Sequence, residues 1–370
     1  MKLRNRIGIG LLVVLVLAMT TLTVVLSHDS PCTEPPTAAA GEDTMEAMVH
    51  TCYGGPEVLE RVALAKPAPA ENEVLVRVHA AAVNPLDWHY LRGEPYFMRL
   101  GSGLGAPKDI RLGVDFAGTV EAVGAGVTGF APGDRVFGGR SGAFGEYVTV
   151  RADGPLARIP AGLRFEQAAA APIAGLTALQ ALRDKGQLQP GQKVLINGAS
   201  GGVGSFAVQL AKASGAEVTG VCSTRNVELV RALGADHVID YTKQSYADGG
   251  ERYDLVVDLV GNHSISANRG ALTDSGRYVI VGGPPGKWLG PLMRPLGAAI
   301  QNLFVDQELV MLLARMQKDD LEFLANAMAA AQLTPLIDRR FSLAELPEAI
   351  RYSESGRARG KIIIDVAGPD

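Results

Sequence analysis

The sequence predicts a two-domain α/β protein, a compact β domain joined to a doubly wound parallel sheet and preceded by an N-terminal transmembrane helix. Three observations predict it. Residues 193–222 read strand, small-residue turn, helix, strand, which is one βαβ unit. Residues 48–172 hold many short alternating runs broken by Gly and Pro, the pattern of a compact β domain. Ile7 to Leu26 is uncharged, and as a helix it would span about 30 Å, the thickness of a bilayer core.

The 370 residues suffice for two domains, and 47% hydrophobic with 20% charged residues is an ordinary globular composition. A formal net charge of −4 without a long Lys/Arg run argues against a nucleic-acid partner. Cys32, Cys52 and Cys222 are odd in number and show no CxxC spacing, so neither a disulfide framework nor a zinc knuckle is suggested.

Residues 1–26 are expected to be an uncleaved membrane anchor. Lys2, Arg4 and Arg6 precede the apolar run, and the positive-inside rule keeps them in the cytoplasm. The rival reading is translation from near Met45, which would leave a cytoplasmic protein. Residues 27–47, rich in Pro, Ala and acid, read as a linker with nothing to bury.

The β domain is expected over 48–172. Val49 to Thr51, Leu59 to Val62, Glu73 to His79, Gly118 to Gly124, Asp134 to Phe137 and Gly145 to Val150 are its strands. Arg92 to Ile110 has no clear period and either caps a cleft or packs on the domain.

The parallel sheet is expected over 173–305. A helix from Gly175 to Arg183 leads to the strand Lys193 to Ile196, and a helix carrying Val203, Ala207, Leu210 and Ala211 follows the turn. Within the turn Ala199, Gly201 and Gly204 hold the three positions of the dinucleotide fingerprint of the Rossmann fold, with Ser200, Gly202 and Val203 between them. Small residues admit the pyrophosphate, and the helix N-terminus attracts its charge.

The strand Glu217 to Cys222 ends in Ser223-Thr224-Arg225 rather than in the Asp or Glu that holds a ribose 2′-hydroxyl. Two hydroxyls and a guanidinium favour NADP(H); the alternative is that Arg225 only opens the next helix in solvent. His237 to Asp240, Tyr253 to Asp258 and Arg277 to Val281 are further apolar strands. Their C-terminal ends place Val260, Gly261, Val281 and Gly282 at the cofactor edge, unless those glycines serve turns alone. Gln301 to Gln332 reads as two helices, and residues 306–370 are expected to return to the β domain.

Asn84-Pro-Leu-Asp87, Gly113-Val-Asp-Phe-Ala-Gly118, Val123-Gly124, Pro132-Gly-Asp-Arg-Val136 and Gly145-Glu-Tyr147, followed by Ala199 to Gly204, resemble the medium-chain dehydrogenase/reductase superfamily. The likeness covers about residues 48 to 366 and lies nearest the zinc-free quinone oxidoreductase branch. It implies a GroES-like β domain, and a homodimer is compatible with it. The superfamily's first zinc cysteine would fall near Asn84, and its Gly-His-Glu appears as Gly113-Val114-Asp115, so no metal is expected.

By the same resemblance Asn84 and Asp87 line the nicotinamide pocket; their bland reading is a turn and a helix cap. His89 stands where relatives carry a tyrosine, with Tyr90 beside it, and both are candidate proton donors or simply packed aromatics. Tyr241 matches a tyrosine near the adenosine phosphate. Lys361 either reaches the cofactor or is a solvated basic end. The expected activity is NADPH-dependent, zinc-independent reduction of quinones or other α,β-unsaturated carbonyls. The alternatives are an alcohol dehydrogenase-like enzyme and a membrane-tethered NADPH-binding protein with little turnover.

Overall fold

The computed structural model describes residues 2–283, 286–288 and 290–367, with side chains described for 15–283, 286–288 and 293–367. After α1 (Lys2–Ser27), the first half holds β1 (Thr44–Val49), β2 (Glu60–Ala65), β3 (Glu73–Val83), α2 (Pro85–Arg92), α3 (Arg99–Ser102), β4 (Asp115–Val123), β5 (Arg135–Gly139), β6 (Tyr147–Arg151) and β7 (Leu156–Arg158). α4 (Phe165–Ala169) and α5 (Pro172–Gln180) cross to the second half. There follow β8 (Lys193–Asn197), α6 (Gly202–Ala213), β9 (Glu217–Cys222), α7 (Val227–Ala232), β10 (His237–Asp240), β11 (Tyr253–Asp258), α8 (Ile265–Gly270), β12 (Leu272–Ile280), α9 (Gly290–Gln301), β13 (Glu308–Met311) and α10 (Lys318–Ala329). β14 (Ile337–Ser342), α11 (Leu346–Glu354) and β15 (Lys361–Asp365) close the chain.

Six strands form one parallel sheet in the order β10-β9-β8-β11-β12-β13. Successive residues of β8 face opposite sides: Val194 and Ile196 enter a core with Phe206 and Leu321, whereas Leu195 packs with Val256 and Tyr278. A strand apolar on both faces is what a sheet covered on both sides requires. The order in which strands are added reverses between β8 and β11, all of them parallel, which places the ligand crevice at their C-terminal ends.

The other large sheet runs β14-β15-β3-β4-β5-β7, with β6 paired to β3. It draws its core from Val76, Phe116, Val136 and Val148. The C-terminal strand β15 lies antiparallel to β3, with Ile363 opposite Ala82, so the last segment completes the β domain.

Several expectations need correction. Among the described residues no helix is long and apolar enough to cross a membrane, so the anchor over 1–26, and a membrane location with it, is not supported. The part of α1 with described side chains, residues 15–27, is about 20 Å long and includes Thr20, Thr21 and Thr23; the remainder of the apolar run lies outside them.

The segment after α1 does have partners. Cys32 is bonded to Cys52, a pairing that the cysteine spacing did not suggest because it depends on two chain segments meeting in the fold. Thr33 N–H donates to the Thr51 hydroxyl at 3.1 Å, and that hydroxyl donates to the Thr33 carbonyl at 2.7 Å. Arg99, buried in the β domain, donates to the carbonyls of Leu26 and His28 at 3.0 Å each and pairs with Asp29 at 2.8 Å.

The two helices read between Gln301 and Gln332 are one helix and one strand. β13, only four residues long, extends the parallel sheet beyond residue 305 by pairing Leu309 with Tyr278. α10 then packs Leu321 and Leu324 into the core beneath β8, so this stretch serves the sheet domain before the return.

Opening the Cys32–Cys52 bridge frees a loop with a sequence separation of 20. Cys32→Ser should therefore lower stability by about 3 kcal/mol, measured by urea denaturation. A reductant should cause the same loss in the wild type and none in the variant.

Candidate active site

The glycine turn lies at the crevice the topology defines. A Cβ at Gly204 would come within 2.1 Å of the Gly198 carbonyl oxygen, so the close approach of α6 to β8 demands glycine there. At Gly201 a Cβ would meet only the same oxygen at 3.4 Å, in ordinary contact. The protein's own packing leaves Gly201 open, as approach of a pyrophosphate to the backbone requires. Ala199, in the place of the first glycine, is buried against Gly220 of β9.

Sequence reasoning missed the polar groups that hold this edge together. Asn197, the last residue of β8, donates to Asp258, the last of β11, at 2.8 Å across the crevice. Asp258 also accepts from the N–H groups of Val260 at 3.1 Å and Gly261 at 2.8 Å, and its main-chain carbonyl accepts from Val281 and Gly282 at 3.0 Å each. One residue, by its carboxylate and its main-chain carbonyl, thus fixes both loops expected to border the cofactor. From α9, Arg294 pairs with Asp258 at 2.9 Å and donates to the Gly261 and His263 carbonyls at 2.6 and 2.7 Å.

On the adenosine side, buried Asn226 donates to the Ser200 hydroxyl at 2.9 Å, tying the glycine turn to the turn after β9. Its Oδ1 is buried with no hydrogen-bond partner among the described residues, a free acceptor suited to a ribose hydroxyl. Thr224 donates to Asp240 at 2.6 Å, and that carboxylate, held also by Thr242 and Lys243, lies well below the usual range because of these bonds. The Thr224 hydroxyl proton is therefore engaged. Ser223 and Arg225 remain, with Arg225 donating to the Arg357 carbonyl at 2.9 Å rather than to a carboxylate. Tyr241 stands exposed beyond β10, its N–H on the Cys222 carbonyl at 3.0 Å.

The nicotinamide side is built on one buried cluster. Lys361, at the start of β15, is 3% exposed, so the solvated basic end is not what the fold makes of it. Its ammonium donates to Asn84 Oδ1 at 2.5 Å and pairs with Asp115 at 3.2 Å. The Asn84 amide in turn donates to Asp115 at 3.0 Å and to the Ala82 carbonyl at 3.3 Å, and Asp115 accepts from the Ile173 N–H of α5 at 3.0 Å. The Lys361 stem lies 3.3 Å from where a Gly202 Cβ would stand, so the cluster touches the glycine turn.

Asp87 accepts from the Asn84 N–H at 2.7 Å and caps α2, as the cap reading expected. Full burial drives its pKa up to about 7, with Asp115 adding to the rise and the Asn84 and Gly113 N–H groups opposing it. Burial likewise raises the pKa of Asp115 despite Lys361 and Asn84.

His89 lies on α2 with Nδ1 2.7 Å from the Glu94 carbonyl, which can only accept, so Nδ1 carries the proton. Burial lowers its pKa, and the neutral ring presents Nε2 as an acceptor. That tautomer does not donate a proton from Nε2. Tyr90 is 40% exposed and makes none of the cluster's bonds.

A surface cleft of about 830 Å³ lined by Asn72, Phe130, Arg158 and Lys318 contains none of these residues. The glycine turn, the Asp258 loops and, through Gly202, the Lys361 cluster meet at the crevice between β8 and β11, whereas Tyr90 and Tyr241 stand exposed.

A doubly wound sheet with an open glycine turn at its switch point, joined to a β domain whose last strand returns to touch that turn, defines a nicotinamide-dependent oxidoreductase. The family models for the alcohol dehydrogenase GroES-like domain and for zinc-binding dehydrogenases match residues 70–161 and 233–364. The chain is 34% identical over 339 residues to a chloroplast envelope quinone oxidoreductase homolog of Arabidopsis thaliana, covering 87% of this chain and 98% of that protein. The quinone oxidoreductase of Coxiella burnetii superposes with a TM-score of 0.77 at 31% identity, over 88% of this chain and 100% of that one. For the Escherichia coli quinone oxidoreductase complexed with NADPH the TM-score is 0.75 at 27% identity, over 87% and 100%. The protein belongs to the medium-chain dehydrogenase/reductase superfamily and is quinone oxidoreductase-like.

The raised carboxyl of Asp87 has a sign that can be tested. Between about pH 4 and pH 7 the folded state keeps a proton that the unfolded chain releases, so this group makes stability fall as pH rises through that window. Asp87→Asn removes the titration. The stability difference between variant and wild type, from denaturation at pH 4 and pH 8, should move in favour of the variant by a few kcal/mol.

Proposed function

We propose that this chain is an NADPH-dependent reductase of quinones and other α,β-unsaturated carbonyls, and that it works without zinc. The observation that carries the cofactor preference is the turn after β9. Ser223 and Arg225 stand where a carboxylate would hold a ribose 2′-hydroxyl, and among the described residues Arg225 is bonded to a carbonyl and to no carboxylate, which leaves guanidinium donors for a 2′-phosphate. Gly201, Gly202 and the N-terminus of α6 would hold the pyrophosphate, Val260 and Gly261 the crevice wall, Val281 and Gly282 the nicotinamide side. Bound there, NADPH supplies a hydride.

This chain's own residues set the geometry around that hydride. Lys361 supports Asn84 from behind at 2.5 Å, and the pair meets the glycine turn through Gly202. The ammonium is paired with Asp115, so the cluster brings no net charge to the pocket; what it supplies is a fixed position for Asn84 and the glycine turn beside the nicotinamide. His89, with Nε2 as an acceptor, orients a hydroxyl or water rather than donating its own proton. The absence of zinc is supported by the same cluster: where the superfamily's metal ligands would lie, an ammonium already neutralises Asp115, and Asn84 is engaged on both sides of its amide. The similarity to quinone oxidoreductases supports quinones as the acceptor class.

The purified full chain should oxidise NADPH when given a panel of quinones and enones, followed at the cofactor's absorbance. No oxidation with any of them would overturn the proposal. Turnover of a saturated alcohol that appears only with added zinc would favour the alcohol dehydrogenase alternative.

Arg225→Asp should weaken NADPH binding ten- to a hundredfold, a loss of about 1.5–3 kcal/mol for one charge-assisted pair, and should improve NADH. Titration of both cofactors checks it, and an unchanged ratio would mean the 2′-phosphate is held elsewhere.

A further inference from the structure

The acceptor has to reach the nicotinamide side past residues that neither the cofactor nor the Lys361 cluster uses. The segment that follows Gly282 and Gly283, beyond β12, is joined to the β domain by a small clasp. Trp288 and Lys287 follow the end of β12; Glu94 and Tyr96 follow α2, the helix that carries Asn84 at its cap and His89 within it. The Tyr96 N–H donates to the Lys287 carbonyl at 2.7 Å, Lys287 pairs with Glu94 at 2.8 Å, and the Tyr96 and Trp288 rings meet edge to face with centroids 4.7 Å apart.

The clasp is tied to the site on one side and braced on the other. The Glu94 carbonyl is the one that fixes the His89 tautomer. Behind Tyr96 the buried Arg99 guanidinium stands 4.6 Å from the ring centroid, held by the carbonyls of Gly93, Leu26 and His28 and by Asp29. Tyr96 is therefore a fixed partner. Trp288, 39% exposed, retains free indole surface beside it.

We propose that Trp288, set in place by Tyr96, is the acceptor-recognising residue of this enzyme, and that it takes electron-poor planar rings. An indole is an electron-rich surface, and a quinone ring is flat and electron-poor, so offset stacking of the two is favourable in both shape and charge distribution. An acyclic enone offers no ring to stack. Trp288 thus discriminates among acceptors that the hydride itself would treat alike. This deepens the quinone-reductase reading and rests on it for the identity of the ring.

The test separates recognition from turnover. Trp88 and Trp288 are the chain's two tryptophans, so in a Trp88→Phe background the emission reports Trp288 alone. With NADP⁺ bound, which permits no turnover, a soluble benzoquinone should quench that emission along a saturable curve. In steady-state assays Trp288→Ala should raise KM for the benzoquinone about three- to tenfold, leave KM for methyl vinyl ketone and the affinity for NADPH unchanged, and be largely rescued by Trp288→Phe.

Saturable quenching without any turnover by the wild type would defeat the reductase reading while leaving the recognition site standing. Turnover by the wild type with only linear, collisional quenching, or with equal KM in Trp288→Ala and wild type, would overturn the role of Trp288.

Discussion

The buried contact of Lys361 with Asp115 and Asn84 is the constraint on which the site's geometry depends. An ammonium and a carboxylate removed from water carry a desolvation penalty of several kcal/mol each, which is offset only when the remaining donors and acceptors are satisfied. Here they are: Lys361 has Asn84 Oδ1 as well as Asp115, and Asp115 has the Asn84 amide and the Ile173 N–H. Each partner belongs to a different element, β15, the cap of α2, β4 and α5. The charge pair can be satisfied only when the C-terminal strand, the β domain and the first helix of the sheet domain are all in register.

That requirement explains why the last strand matters to a cofactor site bound by the sheet domain. Lys361 reaches its partners only by running its stem across Gly202, so β15 is held against the glycine turn. Gly204 keeps α6 close to β8, and Asp258 keeps the loops after β11 and β12 in line with it. The crevice is lined by groups whose freedom has already been removed by packing and hydrogen bonds.

The cofactor half of this arrangement was legible in the sequence because its physics is local. A turn that must admit a phosphate and pack a helix on a strand needs small residues at fixed spacing, and Ala199, Gly201 and Gly204 are adjacent in the chain. The β domain was legible through alternation and through motifs such as Asn84 to Asp87. What was missed depends on distant parts of the chain meeting. Cys32 meets Cys52 in a segment that also lies on Arg99, far from it in the chain. β13 is too short to show a period, and its identity comes from pairing with β12. Lys361 looks like a surface lysine until Asp115, 246 residues away, is placed beside it. The anchor reading failed differently: an apolar run was taken as a span by length, whereas the described part of α1 ends by handing its Leu26 carbonyl to Arg99.

The same distinction separates the two sides of the active site. A pyrophosphate is recognised by backbone N–H groups, so the chain must supply absence of side chains, and absence at regular spacing is readable. An electron-poor ring is recognised by a side chain's surface, so what matters is where Trp288 and Tyr96 come to lie. They are separated by almost two hundred positions and joined through Glu94, Lys287 and Arg99, each of which could be an unremarkable surface residue in the sequence. With Trp288 as the proposed acceptor platform, the choice of acceptor is set by the contact between these two loops, which is separate from the bonds that fix the glycine turn and the buried lysine.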